Sequence, residues 1–384
     1  AVSRGRILAV GPALELRRRY AGKILDHGEG ALLPGLVNAH VHLEFSALRG
    51  KIPPQPDFPS WLTRTLAAAG ALTPEAVAAA AREAVAEARR TGTVLLAEVS
   101  NTGTSWSWLR NSSMEFHYFY ECLGFNMVHG GPLEEDFPFL TTGGVPGAPN
   151  FSLAAHAPYS VSPELFRRLS AWNRRRGRGQ SVHLAESPEE TRFLATGNGF
   201  FRELLQSRGR WHEAFVPPGC SPVSYMEHLG FLGPETLAVH GLQLTGADKT
   251  LLARRGTTVV LCPRSNLHTG AGFPDLPGLL AAGIPMALGT DSLASNRDLS
   301  LWQEMVVLHD HYPDVPISRL LDLATLGGAE ALGRAGDFGT LTPGKRAALL
   351  FVPLQEGGDF WEELLRAGAA GKLSWAREQE NRHG

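Results

Sequence analysis

The chain has 384 residues, of which 43% are apolar and 19% are charged, values that exclude extended disorder and indicate a globular protein. Its formal net charge of −2 excludes a strongly basic surface, so we expect neither nucleic acid nor a membrane as a partner. The sequence shows no signal peptide and no apolar run of membrane-spanning length, which predicts a cytoplasmic protein.

Strand-like apolar runs alternate with helix-like segments through the middle of the chain. In chain order, the runs cover residues 33–41, 93–99, 115–123, 151–157, 180–185, 236–240, 257–262 and 284–290. The helical segments include residues 73–90 and a stretch from Ser162, each opened by a hydroxyl residue, a proline and a glutamate. Strands alternating with helices in this way predict a (β/α)₈ TIM barrel over residues 33–339.

The two ends of the chain do not follow this alternation. Residues 6–10 and 347–353 have the pattern of short strands, with glycine-containing turns nearby. We therefore predict a small β-sandwich domain, built from residues 1–32 together with residues 340–384. The polar segment 375–384 is predicted to be a loose tail or an exposed helix.

Two histidines follow the first predicted barrel strand. His40 and His42 flank one residue, and side chains two apart on a strand point to the same face, so both should enter the barrel mouth. A polar loop with two histidines is the alternative, but the apolar residues before His40 favour a strand. We therefore predict that both side chains bind one cation.

The fifth predicted strand ends near His183, and Glu186 follows shortly after it. A carboxylate past the strand end would lie near a water on the cation, where it could move a proton between water and substrate. Alternatively, Glu186 is an acid at the start of the helix that Ser187 and Pro188 open. Both interpretations stay open at this stage.

Two further predicted strands end in His240 and Asp291. A histidine after an apolar run is usually a core residue, but Gly241 beside it indicates a close approach of the backbone. A buried carboxylate such as Asp291 is unfavourable unless a partner such as a metal ion compensates it. Because the strands of a parallel barrel end at one face, three imidazoles and one carboxylate can converge there on a divalent cation. Such a cation would acidify water for attack on an electrophilic carbon.

Ordered motifs in this chain resemble those of the amidohydrolase superfamily, in its deaminase and chlorohydrolase branch. The motifs are Asn38-Ala39-His40-Val41-His42, His156-Ala157-Pro158-Tyr159, His183-Leu184-Ala185-Glu186, Leu261-Cys262-Pro263-Arg264-Ser265-Asn266 and Gly289-Thr290-Asp291-Ser292. The resemblance covers nearly the whole chain. It implies a distorted TIM barrel with a β-sandwich from both termini.

The resemblance also implies roles for individual residues. The ligands of one metal ion would be His40, His42, His183 and Asp291. Glu186 would protonate the substrate ring nitrogen, His240 would stabilise the tetrahedral intermediate, and Asp291 would also accept a proton. Other branches use two metals and a carboxylated lysine on the fourth strand; residues 151–157 contain no lysine, which favours one metal. We expect zinc, with iron or manganese as alternatives.

The segment Leu43-Glu44-Phe45-Ser46 is similar to that of the aminodeoxyfutalosine deaminases of menaquinone synthesis. This resemblance implies a hydrolytic deaminase that acts on 6-amino-6-deoxyfutalosine, an aminated purine nucleoside, and releases ammonia. The residues expected to bind the substrate are Glu44, Glu121, His156 and Arg264. For Glu44, a surface acid beside Arg49 is the alternative.

Other functions could use the same site. The enzyme could deaminate another heterocycle, such as adenosine, S-adenosylhomocysteine, guanine or 8-oxoguanine. It could also remove chlorine from a ring, since the pocket decides the leaving group. A binding protein without catalytic activity is a further alternative, because a fold does not imply a function. We expect a small-molecule ligand in each case, and a homodimer is one assembly that the sequence allows.

Overall fold

An eight-stranded parallel sheet forms the centre of the protein. The computed structural model describes residues 1–128, 130–142, 145–355 and 357–376. In this sheet, each strand pairs with the strand that follows it along the chain. The strands, from first to eighth, are Leu36–Val41, Thr93–Ser100, Glu115–Cys122, Phe151–Ala155, Gln180–Leu184, Thr236–His240, Thr258–Leu261 and Met286–Leu288. Each predicted apolar run coincides with one of them, and only the second strand extends beyond its run, by one residue, to Ser100.

Hydrogen bonds between the first strand and the residues just after the eighth strand connect the two edges of the sheet. The backbone N–H groups of Thr290 and Asp291 donate to the carbonyl oxygen of His40 at 3.0 and 3.1 Å. The side-chain amide of Asn38 donates to Oγ1 of Thr290 at 2.7 Å. The predicted (β/α)₈ barrel is confirmed, and its closure brings Asp291 next to His40.

The predicted helices begin at the expected capping residues. Pro74–Arg90 follows Thr73 and Pro163–Arg175 follows Ser162, and each hydroxyl accepts an N–H group of the first turn. Each barrel strand is followed by a loop and then by a helix, so the loops lie at the carboxyl ends of the strands. The other α-helices that the structure describes between the first barrel strand and residue 339 are Phe58–Ala69, Trp106–Arg110, Leu133–Asp136, Pro188–Thr196, Phe200–Ser207, Pro222–His228, Gly246–Arg255, Pro263–Thr269, Leu276–Ala281, Leu301–His311, Ile317–Asp322 and Gly328–Ala331.

Alternate side chains of the strands fill the barrel interior. Val37 and Ala39 of the first strand and Val239 of the sixth belong to one buried cluster. Leu36 and Ala238, which point the other way, belong to a larger cluster between the sheet and the helices. Apolar side chains thus fill much of the interior, and in barrels of this kind the functional polar groups lie at the carboxyl ends of the strands.

Strands from both termini form small antiparallel sheets. Leu349–Pro353 lies between Gly30–Pro34 and Ser374–Trp375 in a three-stranded sheet. Val2–Ser3 pairs with Arg6–Ile7 in a second sheet. The pairing of N-terminal with C-terminal strands agrees with the expected β structure. The domain boundaries, residues 1–32 with 340–384 against 33–339, stay a prediction.

The C-terminal region also contains a helix that the sequence analysis did not anticipate. Phe360–Ala369 begins after Asp359, whose carboxylate accepts two N–H groups of its first turn. Gly368 lies so close to the ring of Trp302 that a side chain there would overlap it. The Asp359 cap and this close packing thus accompany a helix in a region where the short flanking strands had suggested only β structure.

The predicted C-terminal tail begins later than expected. Trp375 is a strand residue, and the N–H of Ala376 still donates to the carbonyl oxygen of Leu349 at 2.8 Å. Residues 377–384 of the predicted tail lie outside the described residues. Within the described ranges, no helix has both the length and the apolar character that a membrane span requires.

Candidate active site

Four buried side chains from the first, fifth and eighth strands meet at one end of the barrel. Nε2 of His40 and Nε2 of His42 lie 3.7 and 3.8 Å from Oδ1 of Asp291. Nε2 of His42 also lies 3.2 Å from Nε2 of His183. None of the four residues is more than 8% exposed. The structure therefore brings the four predicted metal ligands together.

Several ring nitrogens in this cluster lack hydrogen-bond partners. Both nitrogens of His40 and Nδ1 of His42 are buried and unpartnered among the described residues. Nδ1 of His183 donates to the carbonyl oxygen of His156 at 2.9 Å, which leaves Nε2 of His183 facing the cluster. Burial lowers the pKa of His40 to about 4, so its imidazole is neutral at pH 7. Neutral imidazole nitrogens are common metal ligands.

The carboxylate of Asp291 is held on its far side by two hydroxyl groups. Oγ of Ser265 donates to Oδ2 at 2.5 Å, and Oγ of Ser295 donates to the same atom at 3.1 Å. These bonds leave Oδ1 facing the imidazoles. Burial alone would raise the pKa of Asp291, but the facing rings of His40 and His42 hold it well below its usual value. The structure thus stabilises an ionised carboxylate.

Glu186 and His240 lie next to this cluster. Oε1 of Glu186 is 3.5 Å from Nε2 of His240, and the rings of His240 and His183 are 5.4 Å apart. Burial raises the pKa of Glu186 well above its usual value, which favours the protonated carboxyl. The amide of Asn266 donates to Nδ1 of His240 at 2.9 Å, which leaves the ring hydrogen on Nε2. Both side chains can therefore donate hydrogen into the same space.

The backbone at the site adopts a left-handed conformation at three positions. Among the described residues, positive φ angles outside glycine occur at Arg4 and at three site positions: Ala185 (53°), His240 (77°) and Asp291 (56°). This conformation costs roughly 1–2 kcal/mol for a residue with a Cβ. Each of the three positions lies where the chain leaves a barrel strand, so the strained turns set the direction of the functional side chains.

Two of the predicted substrate-binding residues lie beside the imidazoles. Oε1 of Glu121 is 3.3 Å from Nδ1 of His183, and the ring of His156 is 5.1 Å from the ring of His183. Both residues are at the carboxyl ends of their strands, the third and the fourth. Their positions agree with a wall of the substrate pocket, and their binding roles stay predictions.

Glu44 is buried and already engaged. Its carboxylate accepts the backbone N–H of Asn101 at 2.9 Å and the hydroxyls of Ser100 and Thr102 at 2.9 and 2.8 Å. It is only 5% exposed, so it is not the surface acid that the alternative interpretation described. In this geometry Glu44 shapes the loop after the second strand, and direct substrate contact stays a prediction.

Arg264 has a protein partner in place of a substrate anion. Its guanidinium forms two hydrogen bonds with the carboxylate of Asp298, at 2.7 and 3.1 Å. A substrate anion would have to displace this pair. The binding role of Arg264 stays a prediction. The sequence could not reveal that Asp298 lies next to Arg264.

Sequence analysis overlooked the residues that hold the functional groups. Ser265 and Asn266 lay within a quoted motif, immediately after the seventh strand, which was a usable signal. Ser295 and Glu190 were less evident, although each contacts a site residue four positions earlier, Asp291 and Glu186 respectively. A polar residue one helical turn after a predicted catalytic carboxylate is the pattern that could have found them.

Comparisons with known proteins agree with this site. A model of the Amidohydrolase family matches residues 31–366. The 5-methylthioadenosine/S-adenosylhomocysteine deaminase of Syntrophobacter fumaroxidans is 32% identical over 370 residues, which cover 93% of this chain and 80% of that protein. The aminodeoxyfutalosine deaminase of Deinococcus radiodurans is 29% identical over 349 residues, covering 85% of this chain and 79% of that protein.

A solved structure gives the same result. An adenosine deaminase from Xanthomonas campestris with bound zinc has a TM-score of 0.80 and 27% sequence identity, covering 98% of this chain and 86% of that one. The family match extends over most of the chain, including every barrel strand and all six residues of the predicted metal and catalytic set. The chain therefore belongs to the amidohydrolase family of hydrolytic enzymes.

Proposed function

We propose that the protein is a metal-dependent hydrolytic deaminase of an adenine-type nucleoside, with 6-amino-6-deoxyfutalosine as the best candidate substrate. One observation carries the proposal: the four predicted metal ligands converge, and Glu186 and His240 lie beside them only 3.5 Å apart. The names of the relatives support the substrate class, because two of them are deaminases of adenine nucleosides.

The side chains fit one divalent cation. Facing ligand atoms lie 3.2 to 3.8 Å apart, roughly the spacing of neighbouring ligand atoms that each lie about 2 Å from one zinc ion. The unpartnered Nε2 of His40 also needs a partner that the described residues do not supply. We propose zinc, as in the Xanthomonas relative; iron and manganese are the alternatives. When bound, the metal would lower the pKa of a coordinated water to about 7.

The chain's own residues would move the protons. Glu186, protonated because burial raises its pKa, would donate to the ring nitrogen beside the amino-bearing carbon. Nε2–H of His240 would donate to the oxygen that adds to this carbon. Asp291, kept ionised by the neighbouring imidazoles, would accept the proton that the attacking water releases. Asp291 would then pass this proton to the amino group, which leaves as ammonia, and the proton on the added oxygen would return to Glu186 as the carbonyl forms.

The substrate would lie against Glu121 and His156, which line the wall next to His183. Deamination of 5-methylthioadenosine and S-adenosylhomocysteine is the second candidate function, because a relative named for that activity is 32% identical. The segment from Leu43 to Ser46 favours aminodeoxyfutalosine instead. Both candidates share the base and the ribose, so they differ in the group attached at the far end of the ribose.

Ammonia release from a panel of substrates tests the proposal. The panel includes aminodeoxyfutalosine, 5-methylthioadenosine, S-adenosylhomocysteine, adenosine and guanine. Chloride release from a chlorinated triazine is measured beside it, and so is the metal content of the enzyme in the same preparation. We expect Glu186→Gln to abolish ammonia release while the metal stays bound, because Glu186 does not belong to the ligand cluster. Glu189→Gln is the matched control, since it removes a partly exposed carboxylate three residues after Glu186, in the first turn of the helix Pro188–Thr196.

Two results would contradict the proposal. The first is an enzyme with a full complement of metal that releases ammonia from none of these compounds. The second is a chain that never retains metal, which would favour the binding-protein alternative. Assembly as a homodimer and a cytoplasmic location stay predictions.

A further inference from the structure

We propose that Glu190 is a positioning residue of the active site: its buried carboxylate holds the turn at residues 185–186 in the conformation that directs Glu186 toward His240. The inference rests on the proposed function, in which Glu186 transfers a proton. The hydrogen bonds of the Glu190 carboxylate go to the backbone amides of Ala185 and Glu186, so Glu190 would act through the position of Glu186.

The carboxylate of Glu190 binds two successive backbone amides. Oε1 accepts the N–H of Ala185 at 3.0 Å, and Oε2 accepts the N–H of Glu186 at 2.9 Å. The residue is 0% exposed. Burying a carboxylate is unfavourable unless hydrogen bonds compensate it, and here each oxygen receives one. Such an arrangement is more than a helix needs, which indicates a specific structural task.

The turn that Glu190 binds requires external support. Ala185 has a φ of 53°, which is unfavourable for alanine. From the other side, the carbonyl oxygen of Ala185 accepts the N–H groups of Leu242 and Gln243 at 2.9 and 2.8 Å. These two residues belong to the loop that directly follows His240. The turn is therefore fixed between Glu190 and the loop of its catalytic neighbour.

The position of Glu190 in its helix supports the same interpretation. Glu190 is in the first turn of Pro188–Thr196, where Oγ of Ser187 caps its N–H group at 3.3 Å. In an ordinary capping box, the acid at this position would return to the N–H of the capping residue. Here the carboxylate passes Ser187 and binds the two amides before it. It therefore supports the exit from the strand as well as the helix.

Glu190→Gln tests the proposal, because an amide keeps one acceptor and turns an NH₂ group toward the second N–H. We expect kcat to fall about 10- to 100-fold, as for other residues that orient catalytic groups, with KM changed less than about twofold. Metal content should not change. Glu189→Gln, a partly exposed neighbour in the same turn, is the control and should keep the kcat of the unmodified enzyme. An unchanged kcat in Glu190→Gln would overturn the proposal.

A second substitution separates positioning from a loss of stability. Glycine adopts a positive φ at little cost, so Ala185→Gly added to Glu190→Gln should recover kcat at least about fivefold, even if the melting temperature stays low. Failure of this rescue would contradict the proposal. If Glu190→Gln does not fold, Glu190→Asp, which keeps both acceptor oxygens, replaces it with the same expected rescue.

Crystal structures make the result independent of the substrate. In Glu190→Gln we expect the distance from Glu186 Oε1 to His240 Nε2 to increase from 3.5 Å and the φ of Ala185 to leave the left-handed region. An unaltered turn would overturn the inference. If the unmodified enzyme deaminates no compound of the panel, the proposed function fails, and these structures still decide whether Glu190 positions Glu186.

Discussion

Two segments at the barrel mouth, the turn after the fifth strand and the loop after the eighth, hold their carboxylates in contrasting ways. The turn fixes Glu186 mainly through Glu190, four residues later in the chain. The loop fixes Asp291 through Ser265, 26 residues earlier, and through the carbonyl oxygen of His40 at the opposite side of the barrel seam. The proton donor thus depends on a local turn, whereas the metal ligand depends on closure of the whole barrel.

The loop after the eighth strand extends its long-range contacts into a buried polar network. The carboxylate of Glu304, 0% exposed, accepts the backbone N–H of Arg264 at 3.0 Å and the amide of Asn296 at 2.7 Å. Asn296 also donates to the carbonyl oxygen of Thr290 at 2.9 Å. Thr290, the residue before Asp291, is therefore connected through Asn296 to Glu304, which lies in the helix Leu301–His311. A buried polar network in which every group has its hydrogen-bond partner favours a single geometry, here that of the loop after the eighth strand.

The largest expected effect comes from Asp291→Asn, which removes the ligand that the barrel closure delivers. We expect loss of the metal and a fall in kcat/KM well beyond the roughly 100-fold that orienting residues produce. Metal analysis and ammonia release measure both. Glu186→Gln is the comparison, since it should lose activity and keep metal. An Asp291→Asn enzyme that binds a full equivalent of metal would contradict the assignment of metal binding to the loop after the eighth strand.

Ser265→Ala tests the support of Asp291 from outside the cluster. Without the hydroxyl, Oδ2 loses its shortest hydrogen bond, 2.5 Å, and the carboxylate can rotate. We expect metal affinity, measured by competition with a chelator, to fall about 10- to 100-fold. Ser295→Ala removes the longer bond of 3.1 Å and should have a smaller effect. Equal effects would indicate that either hydroxyl suffices.

The contrast between the two segments also explains which features the sequence could predict. The barrel strands were predictable because each is an apolar run, which is a local pattern. The ligands His40, His183 and Asp291 were predictable because each is a polar residue at the end of such a run. The pairing of Arg264 with Asp298 was not, because the two residues are 34 positions apart and only the fold makes them neighbours. The helix Phe360–Ala369 was missed although its sequence carries a local signal, the capping Asp359 followed by Glu362 and Glu363 in the first turn.

Glu304→Gln probes the polar network through its stability. Glutamine cannot accept both hydrogen bonds as the carboxyl does, and a buried unsatisfied group costs about 1–3 kcal/mol. Burial raises the pKa of Glu304 to about 7. A carboxyl with a raised pKa in the folded state stabilises the protein most at low pH, and this contribution is lost as the pH rises through about 7.

The deficit of Glu304→Gln in the free energy of unfolding should therefore be larger at pH 5 than at pH 8. Urea unfolding at both values measures it, with the exposed Glu330→Gln as control. A deficit that grows toward pH 8 would mean that Glu304 is ionised in the folded protein and that Arg264 compensates its charge.

The smallest expected effect comes from Ser187→Ala, which tests whether the cap at the fifth-strand turn contributes to activity as well as to stability. Oγ of Ser187 caps Pro188–Thr196 and Oγ1 of Thr73 caps Pro74–Arg90, each accepting an N–H at 3.3 Å. Removing either hydroxyl with an alanine substitution should cost about 1 kcal/mol of stability. Only Ser187→Ala should also lower kcat, by a few-fold, because the capped N–H belongs to Glu190, whose carboxylate holds the turn before Glu186. If both variants lose stability equally and neither loses activity, the cap supports the helix alone and Glu190 keeps its place without it.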